Sequence, residues 1–214
     1  MYIHEYMSTD VITVTQDTPL YVAQTLMRDH NIRRLPTVDE EGKLVGLVTE
    51  RKMREAIASL ASSVAAGELH KSLTSLTVGD VMEKNVLTIS PDAPLAEAGD
   101  IGRKKRVGAL PVVDMKGKLV GIITTTDLLR VLASVVRFGE PGARLHLVGT
   151  TERGELAEVI QVIDKHHAQV KALFHIIPRQ VKKEELVIHI DTEDVTLIEE
   201  ELKARGYSVN ITSH

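Results

Sequence analysis

Through residues 11–132, short apolar runs alternate with longer amphipathic stretches, which predicts alternating strands and helices. Val11–Val14, Leu35–Val38 and Leu44–Val48 are β-branched and aliphatic, as short strands are. Asp17-Thr18-Pro19 predicts a helix start, with a capping side chain and a proline in the first turn, and the helix runs to about Asp29. Asp39-Glu40-Glu41-Gly42 predicts a hairpin turn, because glycine accepts positive φ. A closing helix begins near Arg51.

The same order recurs 75 residues later, Met7–Ile57 lying on Met82–Leu132 without a gap. Pro19-Leu20 falls on Pro94-Leu95, and Leu35-Pro36 on Leu110-Pro111. Gly42-Lys43-Leu44-Val45-Gly46 falls on Gly117-Lys118-Leu119-Val120-Gly121. Strands are therefore expected at Val86–Ile89, Leu110–Val113 and Leu119–Ile123. Helices are expected from Asp92-Ala93-Pro94 to about Lys104 and from near Thr126. Residues 58–75, rich in Ala and Ser, read as a helical extension and connector.

Residues 144–211 have a different rhythm. Strand Arg144–Val148 precedes Thr151-Glu152-Arg153-Gly154 and a helix, Glu155–His166, with Leu156, Val159, Ile160 and Ile163 at helical spacing. Strands Val170–Ile177 and Leu186–Ile190 pair across a polar turn. Asp194 caps a helix to Arg205 that turns Leu197, Ile198 and Leu202 inward, Gly206 stops it, and Tyr207–Ile211 is the last strand.

The β-α-β-β-α repeat, with Leu-Pro-x-Val-Asp and Gly-x-x-Thr recurring in both copies and Gly121-Ile122-Ile123-Thr124-Thr125-Thr126-Asp127 in the second, resembles the cystathionine-β-synthase (CBS) domain. Two in tandem resemble a Bateman module. The C-terminal β-α-β-β-α-β order is ferredoxin-like, and with its Glu-Arg-Gly-Glu-Leu-Ala turn it resembles an ACT domain. The expected fold is α/β (α+β): CBS repeats at 1–57 and 76–135, connector 58–75, linker 136–143 and an ACT-like domain at 144–214. This combination resembles the bacterial acetoin-utilisation regulatory proteins. The resemblance implies a non-enzymatic homodimer that needs no cofactor, takes an adenine nucleotide as regulatory ligand and acts on a regulated protein.

Asp127 begins a helix, where an ionised carboxylate can accept from both hydroxyls of a ribose. Thr124 and Thr126 add hydroxyls. By resemblance the adenine lies between Asn85 and Leu87 on one side and Val107-Gly108-Ala109-Leu110-Pro111 on the other. Asp127 also reads simply as a helix cap. The first copy has Lys52 at the matching position, a donor without an acceptor, which fails as a ribose ligand but suits a phosphate. Arg33 and Arg34 are further phosphate candidates, or a solvated basic pair.

In the C-terminal part, strand alternation puts His146, His175 and His189 together on the sheet face away from the helices. Imidazole is the commonest metal ligand, so these form a metal candidate, with dimer packing as the alternative. Arg153 and Gly154 form a turn open to a small ligand such as an amino acid. A metal- or amino-acid-responsive module is thus the competing function.

Composition narrows the choices. The chain has no cysteine, which excludes disulfides, thiolate metal sites and cysteine nucleophiles. With 26 basic and 30 acidic residues it lacks the charge of a nucleic-acid binder, and the run Arg103–Arg106 reads as a dipole-matched helix end. The first residues show no secretory signal, and no apolar stretch approaches the ~20 residues of a membrane span, so a cytoplasmic protein is expected. No Ser-His-carboxylate grouping or phosphate-binding Gly-x-x-x-x-Gly-Lys is present.

Overall fold

The computed structural model describes residues 1–63, 74–148, 154–177 and 184–213. Most of the expected connector and Arg153 of the expected ligand turn lie outside the described residues. The chain divides into two compact units, Met1–Leu128 and Leu129–His214.

In the first unit each repeat is built on a β-hairpin flanked by helices. Helix α1 (Leu20–Asp29) leads to β1 (Arg34–Val38), β2 (Leu44–Thr49) and α2 (Glu50–Ser63). A short helix α3 (Val78–Val81) opens the second copy: α4 (Leu95–Lys105), β3 (Ala109–Val113), β4 (Leu119–Thr124) and α5 (Thr125–Val135), whose residues from Leu129 on are counted in the second unit. The turns are made alike. Asp39 Oδ1 accepts from the amides of Glu41 and Lys43, Asp114 Oδ1 from those of Lys116 and Lys118, and Gly42 and Gly117 take φ of 79° and 78°.

Two expectations change. Pro19 and Pro94 stand at the N-cap itself, in extended conformation and without a side-chain cap. The expected first strands shrink to single parallel bridges, Val14 on Thr37 and Ile89 on Val112. The prolines explain the shrinkage. Val14 donates to Pro36 O and accepts from the Val38 amide; the next rung would need an amide hydrogen on Pro36. Pro111 stops the second copy at the same place.

The repeats are also interlocked. The Ser8 amide donates to Ile122 O and the Leu47 amide to Glu83 O, so each copy's leading segment pairs with the other copy's hairpin. Gly46 and Gly121 make this possible: a Cβ on either would overlap the sulfur of Met82 or Met7. Val78 and Met82 accordingly join the core of the first copy, with Leu20, Ala23, Leu35, Val48 and Met53. The spatial repeats thus differ from the sequence repeats at both leading ends. The hairpin tips meet as well, Leu44 donating to Gly117 O and Leu119 to Gly42 O.

The second unit contains β5 (Ala143–Val148), α6 (Glu155–Lys165), β6 (Val170–Ile176), β7 (Glu185–Ile190), α7 (Thr196–Ala204) and β8 (Ser208–Ser213). The antiparallel sheet has the order β6-β7-β5-β8, which is ferredoxin-like. Leu145, Leu147, Ile188, Val159, Ile163, Ile198 and Leu202 fill its core. Leu197, expected inward, is exposed, and so is Leu156 at the start of α6. Residues 136–143, expected as a linker, belong to this unit, and Ala143 opens β5. The Arg144 guanidinium donates to the carbonyls of Val136 and Arg137 and lies over the Phe138 ring.

Candidate functional site

Strand β4 delivers Thr124 and Asp127 to the start of α5. Asp127 Oδ2 accepts from the Thr124 amide at 2.9 Å and its hydroxyl at 2.6 Å, while the Asp127 amide donates back to Thr124 Oγ1 at 3.3 Å. This reciprocal capping box fixes the carboxylate in a buried position. Thr125 ties the turn to the neighbouring loop, its amide and hydroxyl both donating to Gly108 O. A cavity of about 290 Å³ lies beside it, lined by Ala98, Gly102, Val107–Leu110, Ile123 and Thr124. Thr126 is exposed, and Pro111 is buried within β3.

The matching turn of the first copy has half of this device. The Lys52 amide donates to Thr49 Oγ1 at 3.2 Å, but the lysine offers nothing in return. Thr49 and Lys52 line a second cleft, of about 370 Å³, which also holds Arg33, Arg34, Leu87 and Val107–Ala109. Leu87 and Val107–Ala109 line one cleft, and it is the cleft with Lys52 at the helix start. Asn85 is exposed and lines neither cleft. Gly108 has a role that sequence reading missed. A Cβ there would lie 2.5 Å from the Arg34 guanidinium, so the missing side chain makes room for Arg34. Burial first, and the neighbouring charge of Arg33 second, hold the Arg34 pKa below its ordinary value.

The expected histidine cluster does not form. A β-bulge at Lys171 shifts the register, Val170 opposing Ile190 but Ala172 opposing His189. Every later side chain of β6 changes face. His175 now opposes Leu186 on the helix-packed side and lies 3.4 Å from Glu184, while Phe174 takes the outer side. His146 bonds Glu185 at 2.6 Å, and His189 is fully buried opposite Arg144. Among the described residues no three ligating side chains are grouped for a metal. Gly154 precedes α6 with φ of 106°, and a Cβ there would meet none of the described residues within 4 Å.

Two interlocked hairpin-and-helix repeats, with a cleft at each second-helix start, define a tandem repeat pair. The CBS-domain family matches residues 3–59 and 78–134, more than half of the chain, and the chain belongs to that family. A CBS domain-containing protein of Dictyostelium discoideum is 36% identical over 63% of this chain and 92% of its own length. Other relatives are longer: the chain spans 21% of an inosine-5'-monophosphate dehydrogenase of Thermoplasma acidophilum, with 39% identity over 56% of this chain.

Among solved structures, a Vibrio cholerae protein assigned to acetoin utilization superposes with a TM-score of 0.55 at 28% identity, covering 64% of this chain and 93% of that one. CBSX2, from Arabidopsis thaliana, in complex with AMP, gives 0.54 at 25%, covering 64% and 98%. A CBS domain pair in complex with 5'-methylthioadenosine and S-adenosylmethionine gives 0.53 at 28%, covering 63% and 97%. No helix among the described residues is long and apolar enough to cross a membrane.

Proposed function

We propose that the chain is a non-enzymatic, cytoplasmic regulator whose CBS pair senses an adenosine-containing ligand. The observation that carries this reading is Asp127, a buried carboxylate fixed at a helix start whose Thr125 is bonded to Gly108 of the Val107–Leu110 loop; Thr124 and Thr125 line the adjoining cavity, and Asp127 lies behind them. There Asp127, Thr124 and Thr126 take the ribose, and the loop with its small Gly108 and Ala109 takes the base. The neighbours bound to AMP and to S-adenosylmethionine support the ligand class. Ligand favours one arrangement of the two repeats and shifts the population toward it. The C-terminal sheet, in its ACT-like order, relays that shift to a partner or a second copy. Similarity to the Vibrio cholerae protein supports a place in acetoin utilization. Differential scanning fluorimetry against AMP, ADP, ATP, NAD and S-adenosylmethionine tests the reading. At least one should raise the melting temperature of the first unit, and no shift with any of them rejects it.

A further inference from the structure

On the sheet face of the second unit that turns away from its helices, three polar side chains are joined in one line. His146 of β5 bonds Glu185 Oε1 of β7 through Nδ1 at 2.6 Å, and its Nε2 lies 3.2 Å from Thr212 Oγ1 of β8. The carboxylate fixes the tautomer. An ionised Glu185 only accepts, so Nδ1 carries the hydrogen, Nε2 holds the free lone pair, and the Thr212 hydroxyl donates to it. This is the order of hydroxyl, base and orienting carboxylate that activates an oxygen nucleophile, with both separations in its range. The sheet sets the geometry: His146 stands opposite Val187 on one side and Asn210 on the other, with Glu185 and Thr212 diagonal to it. The Glu185 and His146 side chains are 18% and 25% exposed, while Thr212, on the edge strand, is open to solvent. A reagent therefore reaches the hydroxyl first.

We propose that Thr212 is a site of self-acylation by an activated acyl donor. Thr212 Oγ1 attacks the acyl carbonyl carbon, and its proton passes to His146 Nε2. The ester C–O bond forms as the bond from that carbon to the leaving group breaks, and His146 passes the proton to the leaving group. A positioned base supplies about 10²–10⁴-fold, which suffices for a donor with a good leaving group, an acyl phosphate or a thioester, and not for an amide. Glu185 is a positioning residue, holding the ring and favouring the imidazolium formed in the step. Among the described residues, the other titratable groups on this face are Arg144, opposite Thr212 and bonded to the carbonyls of Val136 and Arg137, and the buried His189. The product is one ester on the chain itself, without turnover. The inference goes beyond the proposed function and asks nothing of Asp127.

Intact-mass spectrometry of the full chain, incubated with acetyl phosphate or with the acetyl thioester of N-acetylcysteamine, tests it. One acetyl group should be gained, mapped by peptide fragmentation to Thr212 and removed by hydroxylamine, which cleaves esters and spares acetyl-lysine amides. Reaction in one arm only supports the assignment and names the donor. Thr212→Ser should keep the reaction, and Thr212→Val should abolish it. His146→Gln should slow it about a hundredfold. Glu185→Gln should move the midpoint of the pH–rate profile to lower pH, because the imidazole protonates less readily without the carboxylate; a merely structural role leaves the midpoint in place. No hydroxylamine-labile acetyl group on Thr212 in either arm, or an equal rate in His146→Gln, overturns the assignment.

Discussion

His189 sits in β7 opposite Arg144, fully buried, and neither ring nitrogen makes a well-formed hydrogen bond among the described residues. Burial first, and the Arg144 charge second, push its pKa below the ordinary 6.5. The folded chain therefore takes up this proton only at a lower pH than the unfolded chain does. As pH falls through about 6.5, the unfolded chain takes up a proton that the folded chain refuses, and stability drops. The limiting slope is about 1.4 kcal/mol per pH unit, and the loss levels off once pH passes the depressed folded value. Above about 6.5 the contribution is constant. His189→Leu removes the proton site and two unsatisfied nitrogens while keeping an apolar body in place. Since an unmet buried polar group costs about 1–3 kcal/mol, the variant should be more stable at neutral pH by about 1 kcal/mol. In a unit of this size that is about 4–8 °C. Urea unfolding followed by circular dichroism, from about pH 5 to about pH 8, measures both quantities. The gap between variant and wild type should widen as the medium becomes acid. A gap independent of pH, or a variant weaker than wild type throughout, would refute the reasoning.

Three further outcomes follow from the packing. Gly121→Ala pushes a methyl into the Met7 sulfur and within 3.1 Å of Ser8 O; it should destabilise the first unit by about 1–3 kcal/mol in thermal melts, with partial recovery in the Met7→Ala double variant. Glu201 accepts from Lys165, Arg205 and His166, bonds that hold its pKa at about 2. Its contribution is present above about pH 4.5 and lost on acidification toward 2, so acid unfolding of Glu201→Gln should lack that part of the transition. Leu129 and Leu132 of α5 are 59% and 51% exposed. Light scattering should give a dimer mass for wild type and a monomer mass for Leu132→Glu, and a wild-type monomer at micromolar concentration removes α5 as the contact.

The elements whose signals are local were readable from the sequence. Asp39 and Gly42, like Asp114 and Gly117, carry their turns in their own side chains and φ angles, and the structure reproduces both. What depended on a distant partner was hidden. Pro36 and Pro111 were visible as residues, but their effect, ending a parallel ladder after one bridge, needs the neighbouring strand. Met7 and Met82 look alike, so nothing local says that each crosses to the other copy. The same exchange put Leu87 across from Lys52. The bulge at Lys171 has no glycine or proline to announce it, and that one residue broke up the histidine cluster. The difference between Lys52 and Asp127 at matching positions was legible, and the ribose reading of Asp127 grows from it.

The central claim, that Asp127 captures a ribose, is tested most directly by calorimetry with adenosine on wild type, Asp127→Ala and Asp80→Ala. Asp80 Oδ2 accepts from the amide and hydroxyl of Thr77, as Asp127 Oδ2 does from Thr124, so its loss removes the same carboxylate cap away from the cleft. Adenosine should bind wild type and Asp80→Ala with equal affinity, and its heat should disappear in Asp127→Ala. Equal affinity in all three proteins would make Asp127 a helix cap and nothing more.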